Sequence, residues 1–189
     1  MVTAMAALVA EFRVAAAAHT MTVHGPVSPV AVPLTVVDLA RDRAAGGTIA
    51  RPISDAVLDQ FGVPLALDDL GAFSAHGSDW FDALAHCAVG VTGVDLAIAE
   101  TATLIIGTHR ERPRGTHIVP TRHIAVLPVG AIVADLGAAL AAVQRSGMPS
   151  NLSWVSGPSR TADLEMRPTI GVHGPISVDV ILVDSSTRR

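Results

Sequence analysis

Three stretches of this 189-residue chain carry residue types that do chemistry, at spacings that would make them useful. The first is Ser156-Gly-Pro-Ser-Arg-Thr-Ala-Asp-Leu-Glu165. A strand running through a Gly-Pro turn into a helix capped by Ser159 or Thr161 would aim several backbone N–H groups at one point. The guanidinium of Arg160 would add a fixed fork of donors beside them. Such a cradle, built from Gly157, Ser159, Arg160 and Thr161, suits a carboxylate or a phosphate. The same residues also describe an ordinary capped helix, with Arg160 paired to Asp163 or Glu165.

The second candidate is Glu100. Along a strand, Leu96, Ile98 and Glu100 share one face while Ala97, Ala99 and Thr101 share the other. If the Leu96/Ile98 face is buried, Glu100 stands at its rim. Partial burial there would raise its pKa, as a base, nucleophile or ligand-orienting group requires. The alternative is a solvated residue at a hairpin tip. The third is Gly171-Val-His-Gly-Pro175, whose glycines permit close backbone approach. His173 could donate to an anion or move a proton there, or serve a structural turn. The other histidines make no metal site by spacing: His109, His117 and His123 match neither helical nor zinc-finger ligand intervals.

The elements that must position these residues follow from periodicity and punctuation. Helices are predicted over 4–18, with Leu8, Val9 and Phe12 on one face, and over 36–45, ended by Gly46. A short helix capped by Ser54 runs to Phe61, and another covers 79–87 with Phe81 and Leu84 inward. The clearest stripe is Ile132, Leu136, Leu140 and Val143, a helix over 132–144. Strands are expected at 48–50, 65–67, 88–92, 123–129, 152–156 and 178–183. Residues 95–107 form two strands around a tight turn, and 110–115 is a polar, basic loop. Strands alternating with helices indicate one α/β domain over 1–189. Its sheet is mainly parallel and partly mixed, with helices on both faces.

Composition narrows the chemistry. All 13 basic residues are Arg and there is no Tyr, which removes lysine-dependent phosphate handling, Schiff-base chemistry and Tyr-Lys acid–base pairs. A net charge of -4 and 3% aromatics argue against nucleic-acid binding. Mean hydropathy is +0.47 but is spread along the chain, so no membrane span is expected. The start of the chain lacks the basic region of a signal peptide, and the cytoplasm is the expected location. Cys87 alone can hold no iron–sulfur cluster, and its apolar neighbours suggest a core residue.

Four segments, in order and spacing, resemble the LutC/YkgG lactate-utilization proteins, which are LUD-domain proteins. They are Gly90-Val-Thr-Gly-Val-Asp-Leu-Ala-Ile-Ala-Glu-Thr-Ala-Thr-Leu104, Arg122-His-Ile-Ala-Val-Leu127, Ser156-Gly-Pro-Ser-Arg-Thr-Ala-Asp-Leu-Glu165 and Gly171-Val-His-Gly-Pro175. The resemblance covers residues 86–184; residues 1–85 match in element order alone, and Ala102 stands where the family often has Gly. It implies a fold like the NagB/RpiA/CoA-transferase superfamily. It also implies a cluster-free component of a system oxidising L-lactate to pyruvate, with iron–sulfur clusters on partner proteins. Because ligands in open α/β sheets sit beyond the carboxyl ends of strands, the segments are expected to share one anion pocket. Arg160 and the 157–161 backbone would hold a small carboxylate or phosphate-bearing ligand. Glu100 and His173 would flank it as catalytic candidates, supported by Thr101, Asp163 and Gly174. An accessory subunit should expose an apolar patch. The alternatives are a free-standing CoA- or acyl-transferase using Glu100, and a regulatory binding domain that has kept the fold without the pathway.

Overall fold

The runs 89–94, 124–129 and 180–183 are apolar but for Thr92, the pattern of strands covered on both faces. The computed structural model, which describes residues 2–74, 80–147, 149–162, 168–170 and 173–184, places them at the centre of a sheet. Its strands are β1 (Thr22–Val27), β2 (Ile49–Arg51), β3 (Phe73–Ser74), β4 (Val89–Gly93), β7 (Arg122–Pro128) and β12 (Ser177–Val183). They lie in the order β1-β12-β7-β4-β2-β3, and every neighbouring pair is parallel. A second, mixed sheet runs β8 (Ile132–Val133), β5 (Leu96–Ile98), β6 (Thr103–Thr108), β9 (Asn151–Val155). The strands β10 (Arg160–Ala162) and β11 (Pro168–Ile170) form a separate antiparallel pair. The expected α/β class holds, and its mixed character lies in the second sheet.

Alternation along each central strand decides what covers which face. Val178, Val180 and Leu182, with Ala125 and Leu127, pack against Phe12 and Ala16 of α1 (Val2–Ala18) and against Ala97, Ala99 and Leu104 of the second sheet. The intervening Ile124, Val126, Ile181 and Val183 meet α2 (Val32–Ala44), α3 (Ala56–Gln60) and α4 (Val63–Asp69). On α2 the inward positions are Val32, Val36, Ala40 and Ala44, four residues apart. Burying each such Val or Leu stabilises the fold by roughly 1.5–3 kcal/mol.

Several expected elements differ. The 65–67 strand is the middle of α4: Gly62 takes a left-handed conformation before it, and Pro64 sits in its first turn. The cap of α3 is Asp55, not Ser54; its carboxylate accepts from the N–H groups of Val57 and Leu58. In α5 (Trp80–Ala85) Leu84 is buried but Phe81 faces outward. The 132–144 stripe divides. Asp135 caps α7 (Leu136–Ser146), leaving Ile132 buried in β8, and the helix turns Ala139 and Val143 inward with Leu136 and Leu140 outward. Helix α2 starts at Val32, and Ala45, ahead of Gly46, takes the left-handed cap. Strand β1 contains His24-Gly25-Pro26 and had no predicted counterpart; Pro26 is tolerated because β1 is an edge strand.

Polar groups enter the core where they are paired. Asp179 on β12 accepts from Nε and Nη2 of Arg43, each at 3.0 Å, and lies 2.8 Å from Nε2 of His24. Burial pushes the Asp179 carboxyl up, but bonding to Arg43 and His24 outweighs it and holds the group below its ordinary value. His117, on α6 (Gly115–Ile118), and His123, on β7, form a buried pair 5.8 Å apart between ring centroids. His123 Nε2 meets Thr92 Oγ1 at 2.9 Å, whereas both nitrogens of His117 lack a partner among the described residues. Burial, then the charges of Arg112 and Arg114, lowers His117 to about 4. Burial likewise keeps His123 neutral.

Unfolded imidazoles take up protons near pH 6.5, while these two stay neutral in the fold, so stability must fall as pH drops from 6.5 towards 4. For His117 alone the shift corresponds to about 3 kcal/mol. Urea unfolding of His117→Gln should therefore show a shallower loss of stability between pH 6.5 and 4 than the wild type. Parallel pH profiles would contradict the assignment.

Candidate functional site

The predicted anion segment and the His173 segment do meet. Ser159 donates its N–H to Pro175 O at 3.0 Å, and a Cβ placed on Gly174 would lie 3.2 Å from Ser159 Cβ. The first of them rests on the end of α1. Arg160 Nη2 donates to Thr20 Oγ1 at 2.8 Å, and a Cβ on Gly157 would come within 2.5 Å of His19 O. Gly157 has φ +105°, and Thr20 itself has φ 57°, an uncommon conformation for a β-branched residue. Side-chain hydroxyls extend the group towards Glu100: Thr101 to Thr103 at 2.7 Å, then Thr103 to Ser156 at 2.8 Å.

Three expectations change on this geometry. Residues 160–162 are β10, so no helix begins at Ser159 or Thr161, and the cradle loses the helix N-terminus that was to focus its N–H groups. Glu100 is fully on the surface beyond β5, because both Ala97/Ala99 and Ile98 are buried and the chain turns outward after them. The cluster also lies at the amino ends of the parallel strands, since Thr20 precedes β1 and Pro175 precedes β12. His173 is exposed there. Asp163 and Gly171 lie outside the described residues. Ala102 adopts φ 49°, which explains why Gly suits this turn.

At the carboxyl ends of the same strands stands a group that sequence reading missed. Arg112 is buried, with Nη1 2.8 Å from both carboxylate oxygens of Asp95 and Nη2 2.6 Å from Gly93 O. Its Nε lies 2.8 Å from Asp55 Oδ2, an ion-pair contact whose angle is too bent for a hydrogen bond. Asp55 caps α3 through Oδ1, and its Oδ2 also accepts from Gly93 N–H at 2.9 Å. Asp95 also accepts from Gly107 N–H at 2.6 Å. Gly93 is required here, because a Cβ would approach Asp55 Oδ1 and Val57 Cβ to 2.4 Å. The turn that delivers Arg112 is closed by reciprocal backbone bonds between His109 and Arg112, and Glu111 O accepts from Ile53 and Ser54. Breaking so buried a pair from one side costs about 3–5 kcal/mol. The legible signals were Asp95 two residues after Gly93 at a strand end, and Arg within the 110–115 loop.

Above this group opens a cavity of about 480 Å³ between the second sheet and the helices α3 and α7, lined by α3, β5, β6, the end of α7 and the start of β9. Among the described residues no group of three or more His, Cys, Asp or Glu side chains is placed to hold a metal. Cys87 is buried; burial pushes its thiol up, and its Sγ lies 3.1 Å from Val89 O. That is an unreactive setting for a thiol.

The LUD domain model matches residues 48–183. The chain belongs to the LUD-domain family. Lactate utilization protein C of Anoxybacillus flavithermus is 30% identical over 143 residues, which is 74% of this chain and 65% of that protein. The proteins of the same name from Geobacillus kaustophilus and Exiguobacterium sp. are 32% and 37% identical, over 58% and 50% of this chain. Those alignments cover 48% and 44% of the two relatives, so this LUD chain matches between about half and two thirds of their length. A crystal structure of a DUF162 family protein from Deinococcus radiodurans superposes with a TM-score of 0.66 at 23% identity, covering 95% of this chain and 98% of that one. The two share a fold. No helix among the described residues is long and apolar enough to cross a membrane.

Gly157→Ala should lower stability by about 1–3 kcal/mol in urea unfolding, because the turn cannot rest on His19 with a side chain present. A neutral substitution would show that the 156–160 turn does not dock on α1.

Proposed function

We propose that this LUD-domain chain serves lactate utilization. In this reading it is a component without a cluster of its own in a system that oxidises L-lactate to pyruvate, the iron–sulfur clusters being carried by partner proteins. Arg160, with the 157–161 backbone, binds a small organic carboxylate such as the substrate or product. The observation that carries the reading is the name borne by each of the curated relatives above, lactate utilization protein C.

Features of the chain support it. Its one cysteine is buried against backbone carbonyls and unsuited to ligate a cluster. The apolar patch that an accessory subunit needs has a counterpart on α7, where Leu136 and Leu140 are 53% and 52% exposed on successive turns. Trp154, 40% exposed, stands opposite Ile105 in the β6–β9 ladder, on the face of the sheet that packs against Ala139 of α7. Arg160 is exposed and, among the described residues, is fixed through one nitrogen to Thr20, with further donors in its fork for an anion. The chain's lack of Lys makes Arg the carrier of every fixed positive charge.

In cells that carry this chain, deleting its coding sequence should abolish growth on L-lactate and leave growth on glucose intact, with the wild-type sequence restoring it. Arg160→Ala should fail to restore growth and should lose L-lactate or pyruvate binding in calorimetry. Normal growth on L-lactate after deletion would contradict the function. Equal affinity of the wild type and Arg160→Ala would contradict the anion site alone.

A further inference from the structure

The cleft at the carboxyl ends of the central strands has no part in the function proposed above, yet it is the better-built cavity. Its volume, about 480 Å³, falls within the 300–1,000 Å³ of pockets that enclose ligands much larger than a three-carbon acid. Lactate or pyruvate would leave most of it unfilled. Val57, Leu96, Ile105, Val143 and Leu152 line it, so its walls favour an apolar body.

The polar groups are distributed unevenly. At the floor, the charge of Arg112 is matched by Asp55 and Asp95, and the three together sum to one net negative charge. An acid head is therefore repelled from the floor. At the mouth the balance reverses. A second hollow of about 420 Å³ has His109 in its wall in common with the first and is flanked by Trp80 and Arg114. Arg114 is exposed and has no ion-pair partner among the described residues. The cavity thus runs from apolar walls over an anionic floor to a cationic rim.

We propose that this cleft binds an amphipathic organic acid, its hydrocarbon chain between the second sheet and the helices α3 and α7 and its carboxylate at His109 and Arg114. The carboxyl ends of parallel strands are the expected place for a ligand in such a sheet. The 109–112 turn, closed by two backbone bonds, carries His109 at one end and delivers Arg112 to the floor at the other. Head and chain are thereby held on one side of the Arg112 clamp, at the opposite end of the strands from Arg160.

Calorimetric titration with straight-chain monocarboxylates of three to ten carbons tests the assignment. Affinity should rise about fourfold per added methylene until the cavity is full, and alcohols of matched length should bind at least tenfold more weakly. Val143→Trp should flatten the series by filling the cavity; Leu152→Trp fills it from β9 and serves if the first variant does not fold. Arg114→Gln should weaken every acid by a similar factor, about tenfold. Absence of binding, affinity independent of chain length, alcohols binding as well as acids, or an unaltered series in a folded Trp variant would each overturn the proposal. The Arg160→Ala result bears on the lactate site alone, and the Trp variants bear on the cleft alone.

Discussion

A guanidinium buried at the end of a parallel strand is tolerable only if its charge is met on the spot, and Arg112 meets that demand with Asp55, Asp95 and the carbonyl of Gly93. Those partners come from three places, the start of α3, the end of β4 and the loop entering β5, while Arg112 itself comes from the turn after β6. Satisfying one charge therefore fixes how the second sheet meets the first. The same demand dictates small residues nearby, since Gly93 has no room for a side chain against Asp55 and Val57. It also reaches across β4 and β7, where the Arg112 charge adds to burial in keeping His117 and His123 neutral.

The molecule divides its chemistry between the two ends of one sheet. At the amino ends, Ser159 bonds to Pro175 beside Gly174, and Arg160 bonds to Thr20 just past the end of α1. At the carboxyl ends, the Arg112 clamp floors a cavity far larger than a three-carbon acid requires. Between them Asp179 bonds to Arg43 and His24, tying α2 and the edge strand β1 to the centre of the sheet. The proposed small-anion surface and the cleft can coexist because the core strands separate them.

Much of the scaffold was legible in the sequence, and the failures have physical causes. Helix α1 and the hairpin of β5 and β6 were readable because a single periodicity runs through each. Leu65-Ala-Leu67 was ambiguous, because three apolar residues fit either period, and the Pro64 start decided for helix. In 132–144 a helical stripe was real on paper, but the Asp135 cap cut it and rotated the buried face onto Ala139 and Val143. Of the expected pocket of Arg160 and the 157–161 backbone flanked by Glu100 and His173, the structure brings the 157–161 and 173–175 segments into contact and leaves Glu100 on the surface. The helix start expected there is a strand, because Ser and Thr serve the ends of strands as readily as the ends of helices. Asp55, Asp95 and Arg112 were invisible as a group: three charged loop residues at unrelated spacings converge only after two sheets have formed.

The most direct test of this account is amide hydrogen exchange in wild type and Arg112→Met, read at Gly93 and Gly107, whose N–H groups donate to Asp55 and Asp95. If the clamp joins the sheets, both amides exchange much faster in the variant, while those of β7 and β12 in the core stay slow. Unchanged protection at Gly93 and Gly107 in a folded Arg112→Met protein would contradict it, and would mean that the two sheets are held together without the buried charge.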